Sequence, residues 1–325
     1  MMTTKTNLNI LSWNIEGLFT RDGTNKLRTN EILNTVHKFD IVFISETWQD
    51  SDDNTDLIGF KQFSSTRRFR HRNAKRNSGG IIVLVKNSIS KGILKHKSAS
   101  EDIIWLELDK HFFGLTRPLF LCCAYIVPRN SSIYEWRDLD SNDILETEIM
   151  KYSQFGNIMI CGDLNARTGN LLDYIPDDNQ TLPDNFPIPT SYGPDNFNVH
   201  RNNRDSQCNE WGKNIIDLCI SSKLCILNGR TIGDITGKYT CYKTSGVSSV
   251  DLGIISKDMY KDVLYFRVHD FTIWSDHSPI SMAIKVNNRS RVNRPSQTNC
   301  KLYDPPPKYL WEPDRRDAFV REISK

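Results

Sequence analysis

The stretch NIMICGDLNARTG, residues 157–169, sets an acidic and an amide side chain just after an apolar run. Its four consecutive apolar residues, 158–161, are followed by Gly and predict a short buried β-strand. Asp163 and Asn165 would then be held at a fixed place where the strand ends. Both are also ordinary turn residues, because their side chains hydrogen-bond to their own backbone. The decision between a turn and a site depends on whether other strands end in the same way.

The composition is that of an ordinary globular protein. The 325 residues, 38% of them hydrophobic, can bury a large core as one large or two ordinary domains. A net charge of +3 is only mildly basic and does not by itself require nucleic acid. No signal-peptide core is present, and no window approaches the roughly 18 apolar residues of a membrane span. We therefore expect an intracellular protein with no membrane partner.

The cysteines are expected to be reduced and buried. They are Cys122, Cys123, Cys161, Cys208, Cys219, Cys225, Cys241 and Cys300. They form no Cys-x-x-Cys pair with matching His spacing, and several lie in apolar strand or helix patterns. Such residues behave as small hydrophobic side chains in an intracellular protein.

Apolar runs of strand length recur along the chain with few helices between them. Strands are predicted at 8–13, 40–45, 81–85, 103–108, 119–125, 157–161, 224–227, 239–242, 250–255, 263–268 and 279–284. Two helices are predicted, one capped by Thr24 or Asn25 that buries Leu27, Ile32, Leu33 and Val36, and one that buries Trp211, Ile215, Ile216 and Cys219. A parallel sheet needs crossovers of about a dozen residues. The spacing instead favours an α/β fold of two mixed sheets packed face to face, with helices outside.

Two segments differ in composition from these elements. Residues 173–198 are acidic and rich in Pro and Asn, which predicts a long loop. Residues 288–325 begin basic and polar, run through three consecutive prolines, and end in the apolar spacing of a helix start. We therefore expect one domain at 1–287, followed at 288–325 by a Pro-rich basic linker or the start of a truncated C-terminal region.

Polar groups suited to binding a metal or a phosphate follow six separated apolar runs. They are Asn14, Glu46, Tyr125, Asp163 with Asn165, Asp251, and Asp276 with His277. Each alone has an ordinary explanation, such as a turn residue, a helix-start acid or a satisfied histidine. Ligands of layered α/β proteins gather outside strand ends, so these groups are expected to meet in one cleft.

The residue types suit metal-assisted hydrolysis of a phosphate ester. Glu46 and Asp276, helped by Asn14, offer hard oxygen ligands, which favour Mg²⁺ or Mn²⁺ over Zn²⁺. A metal held there would neutralise charge on the phosphate and the leaving oxygen.

The remaining groups suit proton transfer and charge stabilisation. His277 can contact a phosphoryl oxygen, and Asp251, if hydrogen-bonded to it, would set its tautomer. Asp163 is then free to orient and deprotonate the attacking water, with Asn165 donating to the transition state.

The order and spacing of these motifs resemble the endonuclease/exonuclease/phosphatase superfamily over residues 7–287. The motifs are WNIEG (13–17), SET (45–47), AYIVPRN (124–130), GDLN (162–165), VDL (250–252) and SDH (275–277). Within it, the chain looks most similar to the apurinic-type endonuclease domains of non-LTR, LINE-like retrotransposons. The stretches that carry this similarity are SETW (45–48), NSGGIIVLV (77–85), CGDLNARTG (161–169) and 204–229.

The resemblance implies a four-layered α/β sandwich and a Mg²⁺-dependent nick in DNA that leaves a 3′-hydroxyl for priming reverse transcription. It supports the roles given above and places Tyr125 beside the scissile phosphate. Because a reverse transcriptase follows such domains, the tail is similar to the connector between the two.

The chain departs from the family pattern at one motif. Many relatives carry a basic residue just before the VDL motif, where this chain has Ser248 and Ser249 ahead of Val250. We therefore expect one phosphate contact fewer. The apolar pocket with which an abasic-site enzyme holds a flipped sugar is not identified in the sequence.

A basic loop and two further arginines favour a polyanionic substrate. The loop residues are Arg67, Arg68, Arg70, Arg72, Lys75 and Arg76, and the other two are Arg129 and Arg167. Such a cluster can neutralise several phosphates and make binding salt-dependent. The loop is also typical of a solvated surface or a localisation signal, and with a DNA substrate it points to the nucleus.

These features leave three candidate functions. The first is the metal-dependent DNA endonuclease of a non-LTR retrotransposon. The second is a phosphomonoesterase of the same superfamily acting on phosphoinositides or nucleotides. The third is an inactive nucleic-acid-binding domain, which the intact set of candidate catalytic residues disfavours.

Overall fold

The computed structural model describes residues 6–50, 55–67, 76–129, 131–135, 140–176, 197 and 199–287. They fall within a unit that spans Met1–Ser290. The predicted linker at 288–325, Cys300 and most of the predicted loop at 173–198 lie outside the described residues. The described helices include none with the length and apolar character that crossing a bilayer demands.

The described residues form short strands with a few helices between them. The strands are β1 (Asn7–Asn14), β2 (Ile41–Ser45), β3 (Phe60–Ser65), β4 (Ile81–Lys86), β5 (Ile93–His96), β6 (Ile103–Leu108), β7 (Leu119–Tyr125), β8 (Asn157–Asp163), β9 (Leu224–Ile226), β10 (Cys241–Lys243), β11 (Gly246–Ser248), β12 (Asp251–Ser256), β13 (Val263–Val268) and β14 (Ile280–Lys285). The α-helices are α1 (Asn30–Val36), α2 (Lys110–Phe113), α3 (Ser141–Ser153) and α4 (Glu210–Ser221).

Two six-stranded sheets and one hairpin contain all of these strands. The first sheet has the order β13-β14-β1-β2-β4-β3, and the second has the order β5-β6-β7-β8-β12-β9. Strand β1 is parallel to β2 and antiparallel to β14, while β7 is parallel to β8 and antiparallel to β6. Both sheets are therefore mixed, as the strand spacing predicts. Strands β10 and β11 pair with each other as a separate hairpin.

Three apolar clusters show how the layers are stacked. One cluster joins side chains from both sheets, such as Phe43 of β2 and Leu121 of β7. A second packs α3 and α4 onto the outer face of the second sheet, and a third packs α1 onto the first sheet. Because the central strands are covered on both faces, they read as continuous apolar runs, and every residue of β8 is buried. The predicted sandwich of two sheets flanked by helices is confirmed.

Several local predictions were wrong. The first predicted helix is divided: the Asn25 side chain caps a 3₁₀ turn at Lys26–Arg28, and α1 begins only at Asn30. Leu33 is consequently only half-buried. Cys208 is exposed although burial was expected. Strands β3, β5 and β11 and helices α2 and α3 were not predicted.

Candidate active site

The pairing of parallel strands brings four of the predicted groups to one edge of the sandwich. In the first sheet, Asn14 at the end of β1 lies opposite Ser45 of β2, directly before Glu46. In the second sheet, Tyr125 at the end of β7 lies opposite Asp163 at the end of β8. Parallel strands end at the same edge of a sheet, so the side chains that follow them are neighbours.

Antiparallel pairing brings the remaining groups to the same edge. Strand β12 begins there, and its Asp251 lies opposite Asp163. Residues 275–278 lead into β14, which runs antiparallel to β1. His277 also forms an isolated bridge with Cys241 of the β10–β11 hairpin. Segments far apart in sequence therefore meet at one place.

Asn14 connects the two sheets at this edge. Its side-chain Nδ2 donates a 2.9 Å hydrogen bond to Asp163 Oδ2, and both residues are buried. Its Oδ1 accepts from the Glu16 backbone N–H at 3.1 Å. The Ser275 hydroxyl donates to the Asn14 backbone carbonyl at 2.6 Å, which fixes the 275–278 segment against β1.

His277 is held between two buried carboxylates. Its Nδ1 lies 2.8 Å from Asp251 Oδ2. This is the hydrogen bond that Asp251 needs in order to orient the histidine ring. Its Nε2 lies 3.8 Å from Asp163 Oδ2 and 3.7 Å from Asp276 Oδ1. Burial opposes a positive charge on the imidazole, but Asp251 and Asp163 outweigh it and raise the pKa of His277.

Asp163 lies at the centre of the site with an unusually weak acidity. Burial raises its pKa to about 7, although His277 opposes the shift and Asp251 and Glu46 add to it by repulsion. Asp163 Oδ1 accepts from the Asn165 backbone N–H at 3.0 Å. A carboxylate with a pKa near neutrality is suited to taking a proton from water.

Asn165 adopts a backbone conformation that few side chains accept. Its φ of +48° lies in the left-handed region, which Asn tolerates better than most residues. Its Nδ2 donates to the Ile126 carbonyl at 2.9 Å, which engages one of the two amide hydrogens. The second hydrogen remains for a ligand in the cleft, since no described residue accepts it.

Tyr125 and Glu46 form a pair across the two sheets. The phenol is hydrogen-bonded to Glu46, and its pKa is raised by burial first and by the Glu46 and Asp163 carboxylates next. Tyr125 therefore stays protonated and can donate a hydrogen bond. Glu46 has a φ of +53°, a strained conformation of the kind found at functional sites.

The oxygen-rich donor set of the site fits a divalent cation. Glu46 and Asp276 are partly exposed carboxylates, and Asn14 has an amide oxygen that also accepts from the Glu16 backbone N–H. Repulsion among Asp163, Asp251 and Glu46, seen in the raised pKa of Asp163, would be relieved by a bound cation. Hard oxygen ligands of this kind favour Mg²⁺ or Mn²⁺.

Histidine and cysteine atoms adjoin these carboxylates. The donor atoms of Asp163, Asp251 and His277 lie within 4.8 Å of one another, and those of Cys241, Asp276 and His277 do as well. His277 Nδ1 is already engaged by Asp251, which leaves the carboxylates as the simplest ligands.

Two lysines of the site were missed by sequence reasoning. Lys243 of the hairpin places its Nζ 3.5 Å from Asp276 Oδ2, and Lys26 is buried beneath the Asn14 segment. The pKa of Lys243 is raised, since Cys241 and Asp276 outweigh the effect of burial. Neither lysine belongs to a recognisable motif, so no local sequence signal identifies them.

Arg67 is not part of an exposed basic surface, contrary to the expectation for DNA binding. Its side chain is only 4% exposed, and its Nε lies 2.8 Å from Asp102 Oδ1. The guanidinium also lies over the Tyr125 ring at 5.4 Å. Because it is buried and ion-paired behind the site, Arg67 cannot reach a phosphate from the surface.

The other predicted DNA contacts have different surroundings. Arg76 stacks on the Trp48 ring at 3.3 Å, Arg129 forms an ion pair with Glu210, and Arg167 forms a bidentate pair with Asp205 at 2.6 and 2.8 Å. Arg68, Arg70, Arg72 and Lys75 lie outside the described residues.

A cavity of about 510 Å³ adjoins Asn165. Its lining includes the basic residues Arg129, Arg167 and Lys243, the acidic Glu210, and the apolar Trp211 and Val250. The cleft can therefore receive an anionic ligand with an apolar part.

Solved structures with similar folds cover most of this chain. The AP endonuclease LMAP from Leishmania major is 14% identical, with a TM-score of 0.59 over 86% of this chain and 88% of its own. The 3′ phosphatase NExo from Neisseria, bound to a product DNA hairpin, is 14% identical, with a TM-score of 0.53 over 85% and 98%. The endonuclease domain of TRAS1, a telomere-specific non-LTR retrotransposon, is 16% identical, with a TM-score of 0.52 over 86% and 99%.

Sequence comparison identifies the family of the chain. No curated protein sequence matched the chain. The profile of the Endonuclease/Exonuclease/phosphatase family matches residues 11–223, more than half of the chain. The chain therefore belongs to the Endonuclease/Exonuclease/phosphatase family.

Proposed function

We propose that this protein is a divalent-metal-dependent DNA endonuclease that hydrolyses a phosphodiester bond and leaves a 3′-hydroxyl. The observation that carries the proposal is the Asn14–Asp163 hydrogen bond, at which groups from both sheets converge. Around it lie a general-base carboxylate, an oriented histidine and oxygen ligands for a cation. No serine or cysteine nucleophile is needed for hydrolysis by such a set.

Asp163 orients and deprotonates the attacking water. Its buried position and its pKa of about 7 suit this role, and Asn14 and the Asn165 backbone hold the carboxylate in place. The free amide hydrogen of Asn165 donates to the charge that develops on the phosphate in the transition state.

His277 and Tyr125 contact the phosphate. Asp251 holds the His277 ring by its Nδ1, so Nε2 faces the cleft and donates to a phosphoryl oxygen. The Tyr125 phenol, kept protonated, can redirect its single hydrogen from Glu46 to the phosphate when Glu46 binds the cation. Both contacts bring the phosphorus close to Asp163.

Glu46, Asp276 and Asn14 would hold Mg²⁺, with Mn²⁺ as a substitute. Bound there, the cation would neutralise charge on the phosphate and stabilise the leaving oxygen. Asp276 is fixed for this purpose by its own backbone N–H, which donates to Glu16 Oε2 at 3.1 Å.

Two considerations support DNA as the substrate. One structural neighbour is an AP endonuclease, a second holds a product DNA hairpin, and a third is a retrotransposon endonuclease domain. The cavity beside Asn165 is bordered by Arg167 and Lys243. A nick with a 3′-hydroxyl would prime reverse transcription, so we extend the proposal to a nuclear non-LTR retrotransposon protein with a reverse transcriptase beyond residue 325.

A comparison of substrates tests the proposed activity. Purified protein is incubated with supercoiled plasmid, a 3′-phosphorylated oligonucleotide and a phosphoinositide, each with Mg²⁺ and with EDTA. We expect Mg²⁺-dependent open circles and far slower phosphate release from both monoesters. Rapid phosphate release without nicking would favour a phosphomonoesterase. DNA binding with neither reaction would favour an inactive binding domain.

A further inference from the structure

Lys26 is a buried lysine whose hydrogen-bond acceptors are all backbone carbonyls. The residue is 6% exposed. Its Nζ donates to the carbonyl of Ile15 at 2.7 Å, of Glu16 at 3.1 Å and of Trp274 at 2.5 Å. An ammonium group has three hydrogens to donate, so these bonds use all of them.

The three carbonyls belong to the two segments that carry the proposed metal ligands. Ile15 and Glu16 directly follow Asn14, and Trp274 lies two residues before Asp276. These segments are separated by more than 250 residues in sequence. Backbone carbonyls of both nevertheless accept hydrogen bonds from the Lys26 ammonium. A single side chain therefore connects the backbones beneath the site.

Two further hydrogen bonds join the same segments. The Ser275 hydroxyl donates to the Asn14 carbonyl at 2.6 Å, and the Asp276 backbone N–H donates to Glu16 Oε2 at 3.1 Å. Neither bond involves the groups offered to a cation by Asn14 and Asp276. The contacts thus position the two ligands, while Asn14 Oδ1 also accepts from the Glu16 backbone N–H and keeps one lone pair for a cation.

We propose that Lys26 is a positioning residue that fixes the distance between Asn14 and Asp276 and so determines the affinity of the site for a divalent cation. The inference rests on the proposed function, because it assumes that these residues hold the metal. Groups that orient metal ligands typically change metal affinity about 10–100-fold when they are removed.

Charge alone predicts the opposite effect. The Lys26 side chain carries a positive charge close to the proposed metal site. If only electrostatics mattered, Lys26→Met would remove this repulsion and strengthen metal binding. Lys243 provides the matched case, because it lies 3.5 Å from Asp276 but makes none of the backbone bonds of Lys26. The sign of the change therefore separates positioning from charge.

A titration with Mn²⁺ measures this affinity without any DNA. The electron paramagnetic resonance signal of the free ion monitors the titration. For Lys26→Met we expect the Mn²⁺ dissociation constant to rise about tenfold. For Lys243→Met we expect it to fall, and for the exposed Lys38→Met to stay unchanged. Mn²⁺ binding by Lys26→Met that is as tight as in the unaltered protein, or tighter, would overturn the inference.

A second variant covers the case in which Lys26→Met does not fold. Lys26→Arg keeps the buried charge, but a planar guanidinium cannot direct three N–H groups from one atom. We expect weaker Mn²⁺ binding here too, and unchanged binding would overturn the inference. If the unaltered protein does not bind Mn²⁺, the proposed metal site is wrong as well. If it binds Mn²⁺ but does not nick DNA, only the proposed endonuclease activity is contradicted.

Discussion

The Asp251 side chain holds His277 by a hydrogen bond to its Nδ1. In Asp251→Asn the ring loses the carboxylate that raises its pKa and holds its Nδ1–H, so burial disfavours its positive charge and Nε2 no longer serves as an oriented donor. We expect the nicking rate to fall about 10²–10⁴-fold while DNA affinity in EDTA changes little. Single-turnover nicking and fluorescence anisotropy measure the two quantities.

The exposed Asp258→Asn serves as the control for this substitution, because it makes the same chemical change away from the site. A nicking rate for Asp251→Asn within a factor of three of the control would show that the histidine needs no orienting carboxylate.

Arg67 contributes to stability, since its partner Asp102 is fully buried. Arg67→Met leaves that carboxylate without its guanidinium, and breaking a buried pair costs about 3–5 kcal/mol. We expect a loss of this size in the free energy of unfolding, measured by denaturant titration, against little change for the exposed Arg28→Met. Equal stability of the two variants would restore Arg67 as a candidate surface contact.

At the residue scale, the sequence allowed prediction of the groups that directly follow strands. Asp163 ends its strand as the apolar run predicts, whereas Asp251 begins β12 instead of following a strand, and the two face each other through strand register. The contacts of Lys26, Arg67 and Lys243 could not be predicted, because each depends on a partner distant in sequence. Composition shows that a run is basic, but it does not show which side chain turns inward.

Among the secondary-structure elements, the buried strands were predictable and the exposed ones were not. Every residue of β2 and β7 is buried, so their apolar runs are continuous. Strand β3 has no fully buried residue, and β11 is exposed over most of its length. Neither sequence therefore contains a continuous run of apolar residues. Helix α3 was missed because polar and charged residues separate its buried positions.

Helix α4 packs unusually closely on the loop that carries Asn165. A Cβ at Gly212 would lie 1.8 Å from the Arg167 carbonyl oxygen, which no side chain can accept without movement. Gly212→Ala would raise intrinsic helix propensity by about 1 kcal/mol. We nevertheless expect a net loss of about 1–3 kcal/mol in the free energy of unfolding, because overpacking dominates.

Chemical denaturation of Gly212→Ala beside Asn214→Ala, an exposed position of the same helix, checks this sign. Asn214→Ala should be neutral or slightly stabilising. Stabilisation of both variants would mean that the helix and the loop are not in close contact.

For the whole molecule, affinity for DNA is expected to depend on few free charges near the cleft. Arg129, Arg167 and Lys243 are each paired with a carboxylate, and Lys243 has the longest of the three contacts, 3.5 Å from Asp276. If Lys243 contacts a phosphate, Lys243→Gln lowers the slope of log affinity against log salt by about 1. Anisotropy titrations at several salt concentrations measure the slope, with Lys38→Gln as the control. An unchanged slope would remove Lys243 from the DNA contacts.

The active site also depends on the packing of the whole sandwich. Asn14 comes from the first sheet and Asp163 from the second, so their hydrogen bond forms only when the two sheets are packed together. Mixed sheets and flanking helices were predictable from strand spacing. The register that brings these two side chains together was not, because it is set by contacts between the sheets.

The most direct test of the account examines the ends of the nick. Supercoiled plasmid is treated with the protein or with Asp163→Asn, in Mg²⁺ or in EDTA, and then offered to a DNA polymerase that extends only a 3′-hydroxyl. We predict open circles that incorporate labelled nucleotide only with Mg²⁺ and intact Asp163, while Asp163→Asn binds DNA normally. Nicking by pure Asp163→Asn at an undiminished rate, or nicks that the polymerase cannot extend, would contradict the proposed chemistry.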